Sequence, residues 1–368
     1  MKFQLDSGSV RAPCRVTVVG VGGCGNNALT RLIDAGIQGV EFIAIDTDLQ
    51  ALKGCKAANK VAIGKELTKN FGAGGKPEVG KKAFEESKEE IKKQLEGSDM
   101  VIITAGMGGG TGTGAAPLVA EMCKNELNAL TVAAVAMPFK FEAKRRKIAE
   151  EGLNEIKEAA DSYMIIDNNR LLEHRNLTFS MALLEADKAL HNLIKSITEI
   201  IMTLGVINID YSDIKSVMEE GGEAFVGLGI AKGEERAQRV LESALKAPLC
   251  GNPSIEGAKK ILVNIKGGKD LKTGEVDYIM GEIYSLAGEE AFIVTGLMQD
   301  ENTKDEVKLT LIATGLPERT LLEERRRELE GDIIGVRKKR LRESLERFKD
   351  EIEQEEIPSF LYSKEIES

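Results

Sequence analysis

Six glycines among fourteen residues pose the first chemical question in this chain. The stretch TAGMGGGTGTGAAP, Thr104 to Pro117, carries them, with Thr111 and Thr113 between. An apolar run precedes it and a helix-like pattern follows, so it joins a strand to a helix. The backbone N–H groups of such a loop converge on an anion together with the helix N-terminus. Glycines let that backbone approach phosphate oxygens with no Cβ in the way. A second stretch of this kind lies upstream. In VTVVGVGGCGNNA, Val16 to Ala28, the residues Gly20, Gly22 and Gly25 have G-x-G-x-x-G spacing after a strand-like run, which is the dinucleotide fingerprint. Asp46 in VEFIAIDTD stands where that fingerprint wants an acid, about 20 residues on. The first loop with Asp46 leaves a nicotinamide cofactor and other nucleotides equally open. One pyrophosphate needs one such loop, so two predict a longer anion, a triphosphate. The lysine of a Walker A loop is missing.

A third candidate is NIDYSD, where Asn208, Asp210 and Asp213 put an amide and two carboxylates within six residues. Acids so placed also cap helices, and Asp213 could do only that for the helix that follows. Other chemistries have little to draw on. His174 and His191 are the only histidines, which disfavours a His-based triad or a His-rich metal site. Cys14, Cys24, Cys55, Cys123 and Cys250 are scattered, odd in number and without metal-ligand spacing, so a reduced, cytosolic compartment is expected. A net charge of −10 argues against nonspecific binding to nucleic acid or anionic membrane. The N-terminus lacks the apolar stretch of a secretory signal, and no run reaches the roughly 18 apolar residues of a membrane span.

These residues need elements to hold them. Nearly continuous apolar strands at Arg15–Val19, Val40–Asp46, Asp99–Met107, Leu130–Phe139 and Ser162–Asp167 alternate with helical patterns at Asn26–Ala35, Glu78–Glu96, Ala115–Asn125 and Ala143–Ala160. Strands of that kind fit a parallel sheet covered on both faces, hence a doubly wound α/β domain over residues 15–178. Residues 1–14 read as an N-terminal extension, and 179–204 as one long central helix. A smaller α+β domain follows at 205–316, carrying NIDYSD at its start. Residues 317–355 mix acids and bases densely, with a thin apolar stripe, and read as a charged, partly helical linker. The apolar EIPSFLY then opens a docking peptide at 356–368.

The stretch GMGGGTGTGAAP resembles the phosphate-loop signature of the tubulin/FtsZ family. GAGGKPEVG (Gly72–Gly80), PFKFEAKRR (Pro138–Arg146) and INIDYSDIKSVM (Ile207–Met218) fall in that family's order, so the resemblance covers about residues 15–316. It implies a GTPase of cell division that polymerises head-to-tail into a cytokinetic ring, with GTP/GDP and Mg²⁺ as ligands and no metal held directly by side chains. By it, Gly22, Gly23, Cys24, Gly25, Asn26 and Asn27 line the diphosphate and sugar. Gly108, Gly109, Gly110, Thr111, Gly112 and Thr113 cradle the β- and γ-phosphates, and Ala73, Gly74 and Gly75 approach the γ-phosphate as a third loop. Glu142 and Arg146 lie by ribose and phosphates, while Asn168 and Asp187 read the guanine edge. Asn208, Asp210 and Asp213 act on the neighbouring subunit's nucleotide. Ile357, Pro358, Phe360 and Leu361 would dock on a membrane-anchored adaptor such as FtsA, placing filaments in the cytoplasm beneath the inner membrane at the division site. Other division regulators are further expected partners; nucleic acid and direct membrane insertion are not. The chain departs from the family at Asp46, usually Asn, at Leu183, often aromatic, and in Asp167-Asn168-Asn169. Two other readings stand beside this one: a tubulin-like regulator or structural protein that binds GTP with little hydrolysis, and, more remotely, an NAD-dependent oxidoreductase.

Overall fold

Alternation along the first strand sets the architecture. In Val16–Val21 (β1), Val16 and Val18 enter one core while Val19 and Val21 enter another on the opposite face, as the two-residue period of a strand requires. The computed structural model describes residues 14–173, 178–202, 206–246, 254–288, 290–300 and 303–317. After β1 come Gly22–Asp34 (α1), Val40–Asp46 (β2), Leu49–Gly54 (α2), Asn59–Ala62 (β3), Lys65–Thr68 (α3), Pro77–Leu95 (α4) and Met100–Gly106 (β4). Thr111–Asn125 (α5), Leu130–Met137 (β5), Ala143–Ala159 (α6) and Ser162–Asp167 (β6) follow, then a 3₁₀ turn at Asn168–Glu173 and the long helix Phe179–Met202 (α7). The remainder is Tyr211–Met218 (α8), Gly222–Glu223 (β7), Phe225–Lys232 (β8), Arg236–Leu245 (α9), Lys260–Gly267 (β9), Thr273–Ala287 (α10), Phe292–Gln299 (β10) and Glu306–Thr314 (β11).

Among the described residues β1 to β7 form one sheet in the order β3-β2-β1-β4-β5-β6-β7, with every pairing parallel. Helices cover both faces, which is the expected doubly wound α/β layer. Phe84, Ile91, Val119 and Ile156 from α4, α5 and α6 pack on one face. Leu29, Leu190, Ile194, Ile197 and Val217 from α1, α7 and α8 pack on the other, in a core that also takes Val226, Leu262 and Ile312 of the second sheet. The second sheet has the order β10-β9-β11-β8, parallel between β10 and β9 and antiparallel elsewhere. Thus α7 and α8 contribute to a core shared by both sheets.

The segment EGGEAFVGLGIAKG, whose apolar residues are interrupted by glycine, is a strand that changes sheets. Gly222–Glu223 pair with β6, the Ala224 amide donates to the Tyr163 carbonyl, and Phe225 onward pairs with β11. Its glycines are the reason it reads poorly and the reason it packs well. A Cβ at Gly227 would lie 2.3 Å from the Ala244 carbonyl oxygen, and one at Gly229 2.0 Å from that of Val240. Bare backbone there lets α9 lie directly on the strand. Helices α1 and α5 likewise begin four residues before the expected Asn26 and Ala115. Glycine's low helix propensity hides a first turn, whose N–H groups lack intrahelical partners in any case. Pro117, which would lie in the first turn of a helix starting at Ala115, therefore falls in the second turn of α5.

Candidate functional site

The two glycine loops meet where the strand order reverses. From β1 the chain runs outward through β2 and β3, and from β4 outward through β5 and β6. Such a reversal leaves a crevice at the carboxyl ends of the central strands. Val21 pairs with Ala105 at those ends, so the N-termini of α1 and α5 stand side by side. Neither Val21 nor Gly110, their N-caps, supplies a side-chain cap. Two sets of backbone N–H groups and two helix dipoles are therefore available to an anion.

Glycine is what permits this approach. A Cβ on Gly25 would sit 2.3 Å from the Thr104 carbonyl oxygen, and one on Gly112 2.6 Å from that of Gly106. Gly22, with φ of 74°, would bring a Cβ to 3.0 Å from the Gly112 nitrogen. The third loop closes against the second, since a Cβ on Gly110 would meet that of Ala73 at 2.7 Å and the Lys76 nitrogen at 2.9 Å. By contrast Gly23, Gly74, Gly75 and Gly109 have nothing within 4 Å of a Cβ position. All three loops thus turn bare backbone toward open space, and that is the cradle a polyphosphate needs.

The hydroxyls are committed more closely than sequence suggests. Thr113 is buried and its Oγ1 accepts from the Gly108 amide at 2.8 Å, bracing the loop. Thr111 Oγ1 lies 2.7 Å from Thr47 Oγ1. The Thr47 carbonyl accepts from the Gly72 amide, so Thr47 ties the second loop to the start of the third. Asn26 is buried, and its Nδ2 donates to Asp46 Oδ2 at 3.0 Å. Asp46 Oδ1 takes the Asp48 amide, and the residue is 3% exposed. Burial holds the Asp46 carboxyl above its ordinary range. Asp46 therefore braces Asn26, whereas the dinucleotide reading needs it turned to a ribose. Asn27 is exposed beside it.

At the far side of the crevice, Asp167 ends β6 and gathers its neighbours. Arg146 donates to it through both terminal nitrogens, at 3.0 and 3.2 Å, and Asn169 through its backbone and side-chain amides. Glu142 Oε1 accepts from the Phe139 amide and Oε2 from Arg145. Between them, Asn168 has a buried Oδ1 with no hydrogen-bond partner. A buried acceptor left over is costly and marks a place where a ligand's donor fits. Asp187 lies in α7; its side chain, like that of Leu183, is outside the described residues. So are Ile357, Pro358, Phe360 and Leu361, with the charged linker before them.

The acids of NIDYSD are elsewhere. Ile207 pairs with Leu297 of β10, and Asp210, not Asp213, is the N-cap of α8. The two form a reciprocal box: Asp210 Oδ1 accepts from the Asp213 amide and Asp213 Oδ2 from the Asp210 amide, each at 2.9 Å. Each carboxylate has a second oxygen outside this box, and Asn208 and Asp210 are exposed. Three hydroxyls fix the helix. Tyr211 donates to the Asp99 carbonyl at 2.6 Å, Ser162 to that of Met218 and Thr314 to that of Val217. Asp99 immediately precedes β4, so the acids sit at the amino edge of the sheet and the loops at its carboxyl edge. The seven residues of β4 alone separate those edges by roughly 20 Å.

Thr47 and Tyr211 are contributors that the sequence did not single out, whereas Asp167, noted there only as a departure from the family, gathers Arg146 and Asn169. Only Thr47 had a signal, a small polar residue following the end of a buried strand. Among the described residues no group of three His, Cys, Asp or Glu side chains is arranged to hold a metal, and no helix is long and apolar enough to cross a membrane.

Comparison with known proteins agrees with this geometry. Residues 15–176 match the Tubulin/FtsZ family GTPase domain, and residues 222–317 the FtsZ family C-terminal domain. The cell division protein FtsZ of Aquifex aeolicus is 42% identical over 309 residues, covering 83% of this chain and 84% of that one. Cell division protein FtsZ 1 of Archaeoglobus fulgidus is 46% identical over 303 residues, 82% of each chain. The structure of an empty FtsZ dimer from M. jannaschii aligns with a TM-score of 0.76 at 43% identity, over 83% of this chain and 89% of that one.

Proposed function

Because the chain belongs to the FtsZ family, the filament-forming GTPases of cell division, we propose that its complete reaction centre forms only where two subunits meet head-to-tail. It binds GTP and hydrolyses it to GDP and phosphate. The oxidoreductase reading is thereby set aside. One observation carries the shared centre: glycine loops and acids lie at opposite edges of one sheet, too far apart to act on one nucleotide within a chain. A heterologous contact that does not close generates a filament, and it brings one subunit's acids to the next subunit's triphosphate.

In this reading the loops at Gly22–Asn27, Ala73–Gly75 and Gly108–Thr113 hold the phosphates. Asn168 and Asp187 take the guanine edge, where the unpartnered Asn168 oxygen accepts from a donor of the base. Asp210 and Asp213, held by their capping box, use their remaining oxygens with Asn208 to orient and polarise the attacking water. Positioning and electrostatics are most of what phosphoryl transfer demands. Mg²⁺ would arrive as the counter-ion of the nucleotide and offset its charge. Ile357, Pro358, Phe360 and Leu361 would tether filaments to a membrane-anchored adaptor such as FtsA, at the division site beneath the inner membrane.

Light scattering and phosphate release, followed together over a dilution series with GTP, GDP or ATP, test the shared centre. Turnover per molecule should rise above a threshold concentration and track scattering, with GTP alone. Turnover that is constant down to dilutions where scattering vanishes would refute it.

A further inference from the structure

We propose that Thr47, which follows β2 and lies outside all three glycine loops, positions the hydroxyl of Thr111 as a donor to the phosphates of the bound nucleotide. The inference rests on the reading that a nucleotide spans those loops. Thr47 is fixed from the backbone outward. Its carbonyl accepts from the Gly72 amide at 3.1 Å and from Thr68 Oγ1 at 3.3 Å. The next residue, Asp48, pairs antiparallel with Phe71, and the Leu49 amide donates to the Asn70 carbonyl. Residues 47–49 therefore hold the entry to the third loop. The Thr47 hydroxyl meanwhile reaches α5, where it lies 2.7 Å from Thr111 Oγ1. Thr111 opens that helix, and a Cβ on Gly22 would come to 3.5 Å from the Thr111 Cβ, so Thr111 also borders the first loop. This hydroxyl pair stands where the three loops converge.

Counting protons assigns the donor. Each hydroxyl has one O–H and two lone pairs, and the pair shares one hydrogen bond, so one proton is left over. Among the described residues neither oxygen has a second hydrogen-bond partner. Were Thr111 the donor, the spare proton would be that of Thr47, which is 1% exposed, and a buried donor left unpaired is costly. With Thr47 as donor, the spare proton belongs to Thr111, at a helix N-terminus that has no side-chain cap. Thr111 is 8% exposed, so its proton too needs an acceptor, and in the cradle that acceptor is a phosphate oxygen. The bond so formed is charge-assisted. Donation from Thr47 into the Thr111 oxygen also polarises the Thr111 O–H, because linked hydrogen bonds strengthen one another. Thr47 is therefore a positioning residue: it acts on the nucleotide through Thr111.

A double-mutant cycle tests this with Thr47→Val, Thr47→Ser, Thr111→Val and the combined Thr47→Val/Thr111→Val. Binding of a fluorescent GTP is measured below the assembly threshold, with GTP and GMP as competitors, and each variant is also melted. Thr47→Val should weaken GTP by roughly three- to tenfold, the scale of one hydrogen bond. GMP, which lacks the β- and γ-phosphates, should bind as before. Thr47→Ser restores the hydroxyl and should bind GTP as wild type does. In the Thr111→Val background, Thr47→Val should cost GTP binding nothing further, since the hydroxyl it acts through is already gone. The proposal fails if Thr47→Val lowers only the melting temperature and not GTP affinity, or if GMP falls in step with GTP. It fails equally if Thr47→Ser is no better than Thr47→Val, or if the two valine effects on GTP simply add. Wild type that binds no guanine nucleotide would instead overturn the underlying reading of the site.

Discussion

Asp46 and Asn26 form a buried pair beside the phosphate loops, and their burial has a measurable consequence. Loss of hydration holds the Asp46 carboxyl above its ordinary range, although the Asp48 amide and Asn26 donate to it. The folded chain consequently binds a proton at Asp46 more tightly than the unfolded chain does. Stability from this group is present at low pH and is lost as pH rises from the ordinary carboxylate value through the raised one. Asp46→Asn keeps an acceptor for Asn26 without the charge. Thermal melts should give the variant a higher Tm than wild type at pH 7, the gain shrinking as pH falls toward about 4. An equal gain at every pH would mean that titration of Asp46 is not its source.

Helices α4 and α5 cross with almost nothing between them. A Cβ on Gly114 would lie 2.1 Å from the Pro77 carbonyl oxygen, and one on Gly80 2.4 Å from that of Gly110. Both obstacles are backbone, which cannot swing aside as a side chain would. Gly114→Ala should push α4 away and cost about 1–3 kcal/mol, read from a denaturant midpoint. Because Lys76 caps α4 and the third loop leans on Gly110, GTP affinity should fall in the same variant. Unchanged midpoint and affinity together would show that the helices yield more easily than this packing implies. Element α8 is held differently, by hydroxyls: Ser162 from the first sheet and Thr314 from the second donate to carbonyls in its last turn. Asp210 and Asp213 at its start are in this way referred to both sheets at once.

For the whole molecule, the proposed shared centre would make each subunit half of two reaction centres. Two differently disabled variants should then complement one another. Asp213→Asn retains an acceptor for the Asp210 amide, so the capping box can persist while the charge is lost. Gly110→Val drives a side chain into Ala73 and Lys76 and so disables the phosphate loops. Each protein alone should be nearly silent in phosphate release. Mixed, they should recover part of the wild-type rate, at contacts where intact acids of one face the intact loops of the other. A mixture that co-assembles by light scattering yet stays silent would contradict a centre shared in this way.

The glycine loops, the parallel sheet and the long helix could be read along the chain because each rests on local rules. Apolar runs mark buried parallel strands, helical spacing marks α7, and clustered glycine after a strand marks an anion site. The order GMGGGTGTGAAP to INIDYSDIKSVM carried the family as well. Strand β8 escaped because Gly227 and Gly229 serve a packing partner, α9, that lies distant in sequence. The first turns of α1 and α5 escaped because glycine's propensity argues against the helix that close approach demands. The pairing of Arg146 with Asp167, 21 residues further along the chain, is one that only tertiary structure brings about. The placement of NIDYSD at the opposite edge from the loops was likewise decided by folding. Residue types dictate what chemistry is available, but the distance between two groups is a property of the packed chain.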